Sequence, residues 1–487
     1  MIWLLVLACA AATVPAGLRW LRVAQREHYL AGEVSRFAAR WWASSLVDMA
    51  LAMAALAGVV LTALDLRWGF LVAAAQVGPT GLALKGRTSP LAWTGRLRRL
   101  AVVVGLALSV AYLAGALLDQ PLLVVVPLAV SFAVVDLGLL ALGPLERRAG
   151  GRWVEKATSR LRSIGPDVVA ITGSYGKTTT KSYVTHLLSG SRRVVASPAS
   201  FNNRMGLARA INENLTPGTE VFVAEMGTYG PGEIAELCEW IPPKVAAMVA
   251  IGPVHLERFR TLENIVASKA EILDRAEVGV ICVDHPLLAE LAKERAATMA
   301  VIEVSASDGV SVAGRRVADV PEGSFGANVA VALGICSALG LDLDEVLPRL
   351  ADLPTSEHRR SVSNAAPGFA IVDDTFNSNP EGARAALETV TGLSADGATA
   401  VVTPGMVELG PVQYEENRAF AATVADRVDH LVIVGKTNRR ALLEGSTNGR
   451  ASVTVVDSRD EAVAWVRANL GPGDAVLYEN DLPDHYP

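Results

Sequence analysis

Residues 172–178 read TGSYGKT, directly after the apolar run VVAI and directly before TTKSYVTHLL. Glycines, a lysine and a threonine at this spacing could bind phosphate. Gly173 and Gly176 let backbone N–H groups converge on phosphate oxygens, and the following helix N-terminus adds its dipole. Lys177 would neutralise β/γ-phosphate charge, and the Thr178 hydroxyl can ligate Mg²⁺. Thr172, Ser174 and Thr179 complete this nucleotide-binding stretch. Gly173 precedes Lys177 by four residues rather than the six of the general GxxxxGK[ST] pattern, so an ordinary strand-to-helix turn is the competing reading.

Such a loop needs a strand before it and a helix after it. From Gly150 onward, short β-branched runs (VVAI, VFVAEM, VAAMVAI, GVICV) alternate with amphipathic segments, which predicts a parallel sheet covered by helices. The first 145 residues differ. They hold apolar runs at Ile2–Leu18, Leu46–Leu64, Leu100–Leu118 and Leu122–Leu142, and a shorter one at Trp68–Leu84 that contains Gly78 and Pro79. A helix crosses a bilayer in roughly 20 apolar residues, so about five spans are expected if Trp68–Leu84, a span or a re-entrant piece, is counted as one. Lys and Arg concentrate in alternate loops: Arg19, Arg22, Arg26, Arg36 and Arg40; then Lys85, Arg87, Arg96, Arg98 and Arg99; then Arg147, Arg148 and Arg152. Basic loops face the cytoplasm, which puts the N-terminus outside and everything after residue 145 inside. A cleaved signal peptide competes for the first run, but its positive charges follow the apolar stretch. Asp48 and Asp136 fall in or near spans, Asp48 at an interface and Asp136 with no partner legible in the sequence.

The bulk properties agree. The chain has 487 residues, 51% of them hydrophobic, too many of both for one ordinary soluble domain. A net charge of −6 without a basic stripe argues against a nucleic-acid partner. Cys9, Cys238, Cys282 and Cys336 show no CxxC spacing, so neither a zinc site nor a disulfide framework is indicated.

TGSYGKTTTK resembles the nucleotide loop of the Mur ligase family, the ATP-dependent amide ligases that extend the peptidoglycan stem peptide. The resemblance continues through SFNNRMG (200–206), VAEMG (223–227), VHLERF (254–259) and ASKAEIL (267–273). VDDTFNSNP (372–380) and GMVELG (405–410) look most like the branch that adds D-alanyl-D-alanine. The likeness covers about residues 165–477, roughly two thirds of the chain. The apolar runs predict a multi-span helical membrane domain (1–148), and the likeness implies a Mur ligase central ATP-binding α/β domain (149–354) and a Rossmann-like C-terminal α/β domain (355–487).

Such a ligase phosphorylates a carboxylate and lets an amine attack the acyl phosphate, so it needs cations around the γ-phosphate. The resemblance implies ATP and two Mg²⁺ ions. Glu225 and His255 are then metal ligands with Thr178, and Lys269 matches the lysine carbamylated into a metal-binding carboxylate. Lys177, Glu225, His255 and Lys269 form the implied catalytic set. Asn328, in GANVAVAL, matches the adenine-contacting asparagine, although Gly326 stands near where a histidine is usual. Arg359 matches the phosphate-reaching arginine, preceded by His358 instead of glycine, and Asp374 matches the ribose-contacting acid. Asn377 and Asn379 share that loop, where both could equally be turn asparagines.

Two departures accompany the likeness. The family's UDP-binding N-terminal domain is replaced by the apolar runs, and Tyr478-Glu479-Asn480-Asp481 stands where the D-alanyl-D-alanine branch commonly has a Lys-Gly-Ser-Arg-like stretch. The implied function is a membrane-anchored, ADP-forming peptide ligase at the inner membrane with its ligase domains cytoplasmic. Its expected partners are the lipid bilayer, a lipid-linked or polymeric cell-envelope precursor, and an amino acid or dipeptide. Alternatives are D-alanyl-D-alanine addition to the UDP-linked tripeptide, poly-amino-acid synthesis, and a non-catalytic membrane scaffold.

Overall fold

The computed structural model describes residues 1–82, 91–254, 256–354, 361–364, 368–375, 379–393 and 397–482. The chain forms two compact units, residues 1–149 and 150–481.

The first unit is helical: α1 (Ile2–Arg26), α2 (Glu33–Trp42), α3 (Leu46–Thr62), α4 (Gly69–Ala75), α5 (Gly95–Leu117), α6 (Leu122–Ala129) and the first turns of α7 (Ser131–Ile164). Ser45 caps α3 by accepting from Asp48 N, and Thr94 caps α5 by accepting from Leu97 N. Among the described residues, α1 and α5 are long and apolar enough to cross a membrane. Two bent pairs, α2 with α3 (113°) and α6 with α7 (79°), raise the number to four if each pair is one span.

Two expectations are corrected here. Among the described residues of the run Trp68–Leu84, the α-helix is the seven-residue α4, about 10 Å at 1.5 Å per residue, because Pro79 has no N–H to continue a helix. The backbone beyond it is held instead by side chains of the neighbouring helices. Arg19 donates to the carbonyls of Gln76, Val77 and Gly78 (2.9–3.2 Å), Trp41 Nε1 donates to Thr80 O, and Thr80 N donates to Asp48. The run Leu122–Leu142, expected as one helix, breaks at Val130. Asp136 has partners: it accepts from Gly32 N, Ser35 N and Ser35 Oγ at 2.6–2.8 Å, neutralising the N-terminus of α2.

The second unit contains two sheets. The larger has the order β2-β3-β1-β4-β5-β6-β7-β8: β1 (Asp167–Thr172), β2 (Val194–Ala196), β3 (Val221–Glu225), β4 (Val245–Met248), β5 (Val278–Cys282), β6 (Ala300–Ser305), β7 (Val310–Val312) and β8 (Arg315–Ala318). Strands β2 to β6 are parallel, and β7 and β8 close one edge antiparallel. Apolar cores fill both faces, as buried parallel strands require. One core includes Val154, Ala157 and Leu161 from the last turns of α7.

The smaller sheet has the order β13-β12-β11-β14-β10-β9: β9 (Ser361–Asn364), β10 (Ala370–Asp374), β11 (Thr399–Thr403), β12 (His430–Val434), β13 (Ser452–Val456) and β14 (Ala475–Glu479), parallel apart from β9. Chain order reverses beside β1 in the larger sheet. The carboxyl ends of β1, β3 and β4 flank this reversal, the place where open α/β sheets bind ligands.

Candidate active site

Strand β1 ends at Thr172 and α8 (Lys177–Leu188) begins after Gly176, so residues 173–176 form the tight loop between them. Gly176 has φ +76°, and a Cβ there would lie 2.3 Å from Asn328 Oδ1. A side chain is thus excluded by conformation and by contact. Asn328, in the first turn of helix Gly326–Ala338, is buried against this loop.

The loop is braced from β4. Ser174 N donates to Ala250 O (2.7 Å) and Ser174 Oγ to Gly252 O (3.1 Å). The Thr172 hydroxyl donates to Met226 O and joins β1 to the end of β3. The side chains of Thr172 and Ser174 therefore shape the loop. Lys177 Nζ donates to Gly173 O (2.7 Å) and Ser174 O (3.2 Å), which places its charge over the loop. Thr179 is buried one residue beyond Thr178.

Parallel pairing sets Glu225 opposite Ile171, so a carboxylate at the end of β3 faces the start of α8. Glu225 is 3% exposed and fully engaged. Its Oε2 accepts from Thr178 Oγ1 (2.9 Å) and Lys181 Nζ (3.0 Å), and its Oε1 accepts from Asn202 Nδ2 (3.3 Å). Burial pushes this carboxyl up, but Lys181 and Lys177 outweigh burial and hold it below its ordinary range.

Lys269 is the penultimate residue of helix Leu262–Ala270 and is 4% exposed. Burial first, then the Lys177 charge, drives its amine well below the usual lysine range. Its amine gives up a proton more readily than that of a solvated lysine.

Asp374 is buried at the carboxyl end of β10, opposite Glu479 of β14. Glu479 accepts from the Thr403 hydroxyl, Thr403 Oγ1 accepts from Gly405 N (2.8 Å), and Asn480 Nδ2 donates to Gly405 O (2.7 Å). The divergent tail residues therefore shape the GMVELG loop. At the end of that loop Gly410 packs on the backbone of Leu256 and Glu257, where the two α/β domains touch.

Lys177, Thr178, Glu225, Lys269 and Asn328 thus gather around one loop, while Asp374 stands on the other sheet. His255, Arg359 and Asn377 lie outside the described residues. Sequence reasoning passed over Lys181 and Asn202. A signal for Lys181 was present: it follows Lys177 by four and Thr178 by three residues, the spacing of one helical face.

A phosphate loop at the sheet's switch point, with a buried carboxylate and lysines beside it and a second α/β domain alongside, defines a nucleotide-dependent enzyme. The profile of the Mur ligase middle domain matches residues 171–335, and that of the Mur ligase glutamate ligase domain matches residues 358–478. The UDP-N-acetylmuramoyl-tripeptide--D-alanyl-D-alanine ligase of Mycobacterium leprae is 30% identical over 382 residues, covering 67% of this chain and 73% of that protein. The Bacillus subtilis ligase of the same name is 26% identical, covering 66% of this chain and 75% of its own. Among solved structures, MurF ligase from Thermotoga maritima in complex with ADP aligns with a TM-score of 0.58 at 25% identity, covering 68% of this chain and 80% of that one. MurF from Acinetobacter baumannii shares the fold, with a TM-score of 0.57 at 24% identity over 68% of this chain and 77% of that one. The chain belongs to the Mur ligase family. It is an ATP-dependent, ADP-forming ligase of peptidoglycan synthesis.

Proposed function

We propose that this ligase joins D-alanyl-D-alanine to the terminal carboxylate of a muramoyl tripeptide while anchored in the membrane. The observation that carries the reading is the Glu225 carboxylate, buried between Thr178 and Lys181 at the mouth of the phosphate loop, in a chain 30% identical to a ligase named for that reaction. A carboxylate oxygen of the acceptor attacks the γ-phosphorus of ATP and ADP leaves. The dipeptide amine then attacks the acyl carbon, inorganic phosphate departs, and the nitrogen loses a proton. Lys177 offsets charge on the phosphates in the first step.

The donors present fit a hard divalent cation: the Thr178 hydroxyl and the Glu225 carboxylate lie 2.9 Å apart and both offer oxygen. They would hold Mg²⁺ together with His255 and Lys269. A lysine ammonium cannot serve as a ligand. Burial favours the deprotonated Lys269 amine, which can take up CO₂ and release a proton to give a carbamate, anionic and oxygen-bearing. When bound, the metal supplies charge neutralisation for the phosphoryl oxygens.

The N-terminal unit supports the anchor. On α5, Val102, Leu106, Val110, Leu113 and Leu117 are exposed along one face, and α1 exposes Trp3, Leu4, Leu7 and Val14. Apolar faces of this extent are costly in water and favourable in lipid.

A second reading has the same chemistry acting on a lipid-carried acceptor. It is favoured because these lipid-suited helices precede residue 171, where the family match begins. The test is to supply the full-length protein in nanodiscs with ATP, D-alanyl-D-alanine and either the UDP-linked or the lipid-linked tripeptide, and to read products by mass spectrometry. UDP-linked product supports the main reading and lipid-linked product alone the second. Absence of dipeptide product from both acceptors would refute both.

A further inference from the structure

Lys181 is 6% exposed, and its ammonium donates to Glu225 Oε2 at 3.0 Å. An ammonium so deeply buried is kept only where its charge is matched. The same Oε2 accepts the Thr178 hydroxyl at 2.9 Å, so the two candidate metal-holding groups share an oxygen with a fixed cation. Lys177 adds a second positive charge close enough to act on the same carboxylate. Counting Glu225 as −1, the two lysines as +1 each and a carbamylated Lys269 as −1, the group is neutral, and it would stand at −1 without Lys181. A divalent cation approaching it therefore finds no net attraction, and it meets the Lys181 ammonium on the very oxygen it would use. The polyphosphate of a nucleotide supplies the missing negative charge.

We propose that Lys181 is a positioning residue and electrostatic gate: it orients Glu225 toward Thr178 and keeps the site from holding a divalent cation until nucleotide arrives. The metal then enters with ATP rather than ahead of it, and Glu225 meets it already oriented. This rests on reading Thr178 and Glu225 as metal-holding residues.

The test is direct Mn²⁺ binding, followed by electron paramagnetic resonance, on the full-length protein in nanodiscs with and without a non-hydrolysable ATP analogue. Wild-type protein should hold Mn²⁺ only with the analogue. Lys181→Met, which keeps length and removes charge, should bind Mn²⁺ without nucleotide at least about tenfold more tightly than wild type, because a short-range repulsion is gone. Lys181→Arg should behave like wild type. Thermal unfolding reports whether each variant folds, and Lys181→Gln replaces the methionine variant if that one does not. Tight Mn²⁺ binding by nucleotide-free wild type would overturn the proposal, as would a folded neutral variant with no gain in nucleotide-free binding. Absence of Mn²⁺ binding even with the analogue would overturn the metal-site reading and the proposal together.

Discussion

Asn328 Oδ1 occupies the space that a side chain on Gly176 would need, with only 2.3 Å between it and a Cβ built there. The nucleotide loop and the helix carrying the candidate adenine contact are therefore fitted to each other. Gly176→Ala should weaken binding of a fluorescent ADP analogue at least tenfold, since a left-handed alanine costs about 1–2 kcal/mol before the clash is counted. Adding Asn328→Ala relieves the clash but not the backbone strain, so the double variant should recover only part of the loss. Unchanged affinity in Gly176→Ala would show that the loop opens when it binds nucleotide.

Lys177→Ala should abolish acceptor-dependent ADP release, with a loss on the order of a hundredfold or more, as for other groups that stabilise transition-state charge. A coupled ADP assay checks it. Turnover at the wild-type rate would remove Lys177 from the phosphate site.

Lys269 gives two measurements. Protein equilibrated with ¹³C-bicarbonate should show a carbamate carbon resonance that Lys269→Ala lacks, and the alanine variant should be nearly inactive and partly rescued by a small carboxylate. In CO₂-free buffer the folded amine loses its proton at a lower pH than the unfolded one, whose ordinary pKa is 10.5. The unfolded chain then binds one more proton, so stability should rise with pH by roughly 1 kcal/mol per unit between the lowered and the ordinary pKa. Lys269→Met should flatten that slope. Identical pH profiles for the two proteins would mean that the folded lysine is charged.

Gly410→Val should leave nucleotide affinity nearly intact while ligation falls at least tenfold. Gly410 has φ +56°, and a Cβ there would stand 3.0 Å from Glu257 N, so the substitution strains the contact between the two α/β domains. Equal loss in nucleotide binding and ligation would show that the contact serves the nucleotide site itself.

What could be foreseen depended on how local each signal was. The strand–loop–helix around residue 173 is a contiguous pattern and was legible as such. The order of the larger sheet was not, because β1 lying between β3 and β4 is set by long-range packing. Hydropathy registers composition over a window, so it could not see the bend at Val130 or the turn that Arg19, Trp41 and Asp48 hold together. Lys181 was passed over for a related reason. A lysine on a helix is normally solvated, and only the arrival of Glu225 from β3, forty-four residues later, makes this one an ion-pair partner.

The packing of α7 bears on how this enzyme can be cut. Val154, Ala157 and Leu161 fill the same core as Leu207, Ile211 and Phe222, and Arg160 Nε donates to Leu215 O. The family match, however, starts only at residue 171. A soluble fragment whose first residue is chosen by homology would leave an apolar trough along the catalytic domain and invite aggregation. One beginning at Gly150 keeps its own stopper.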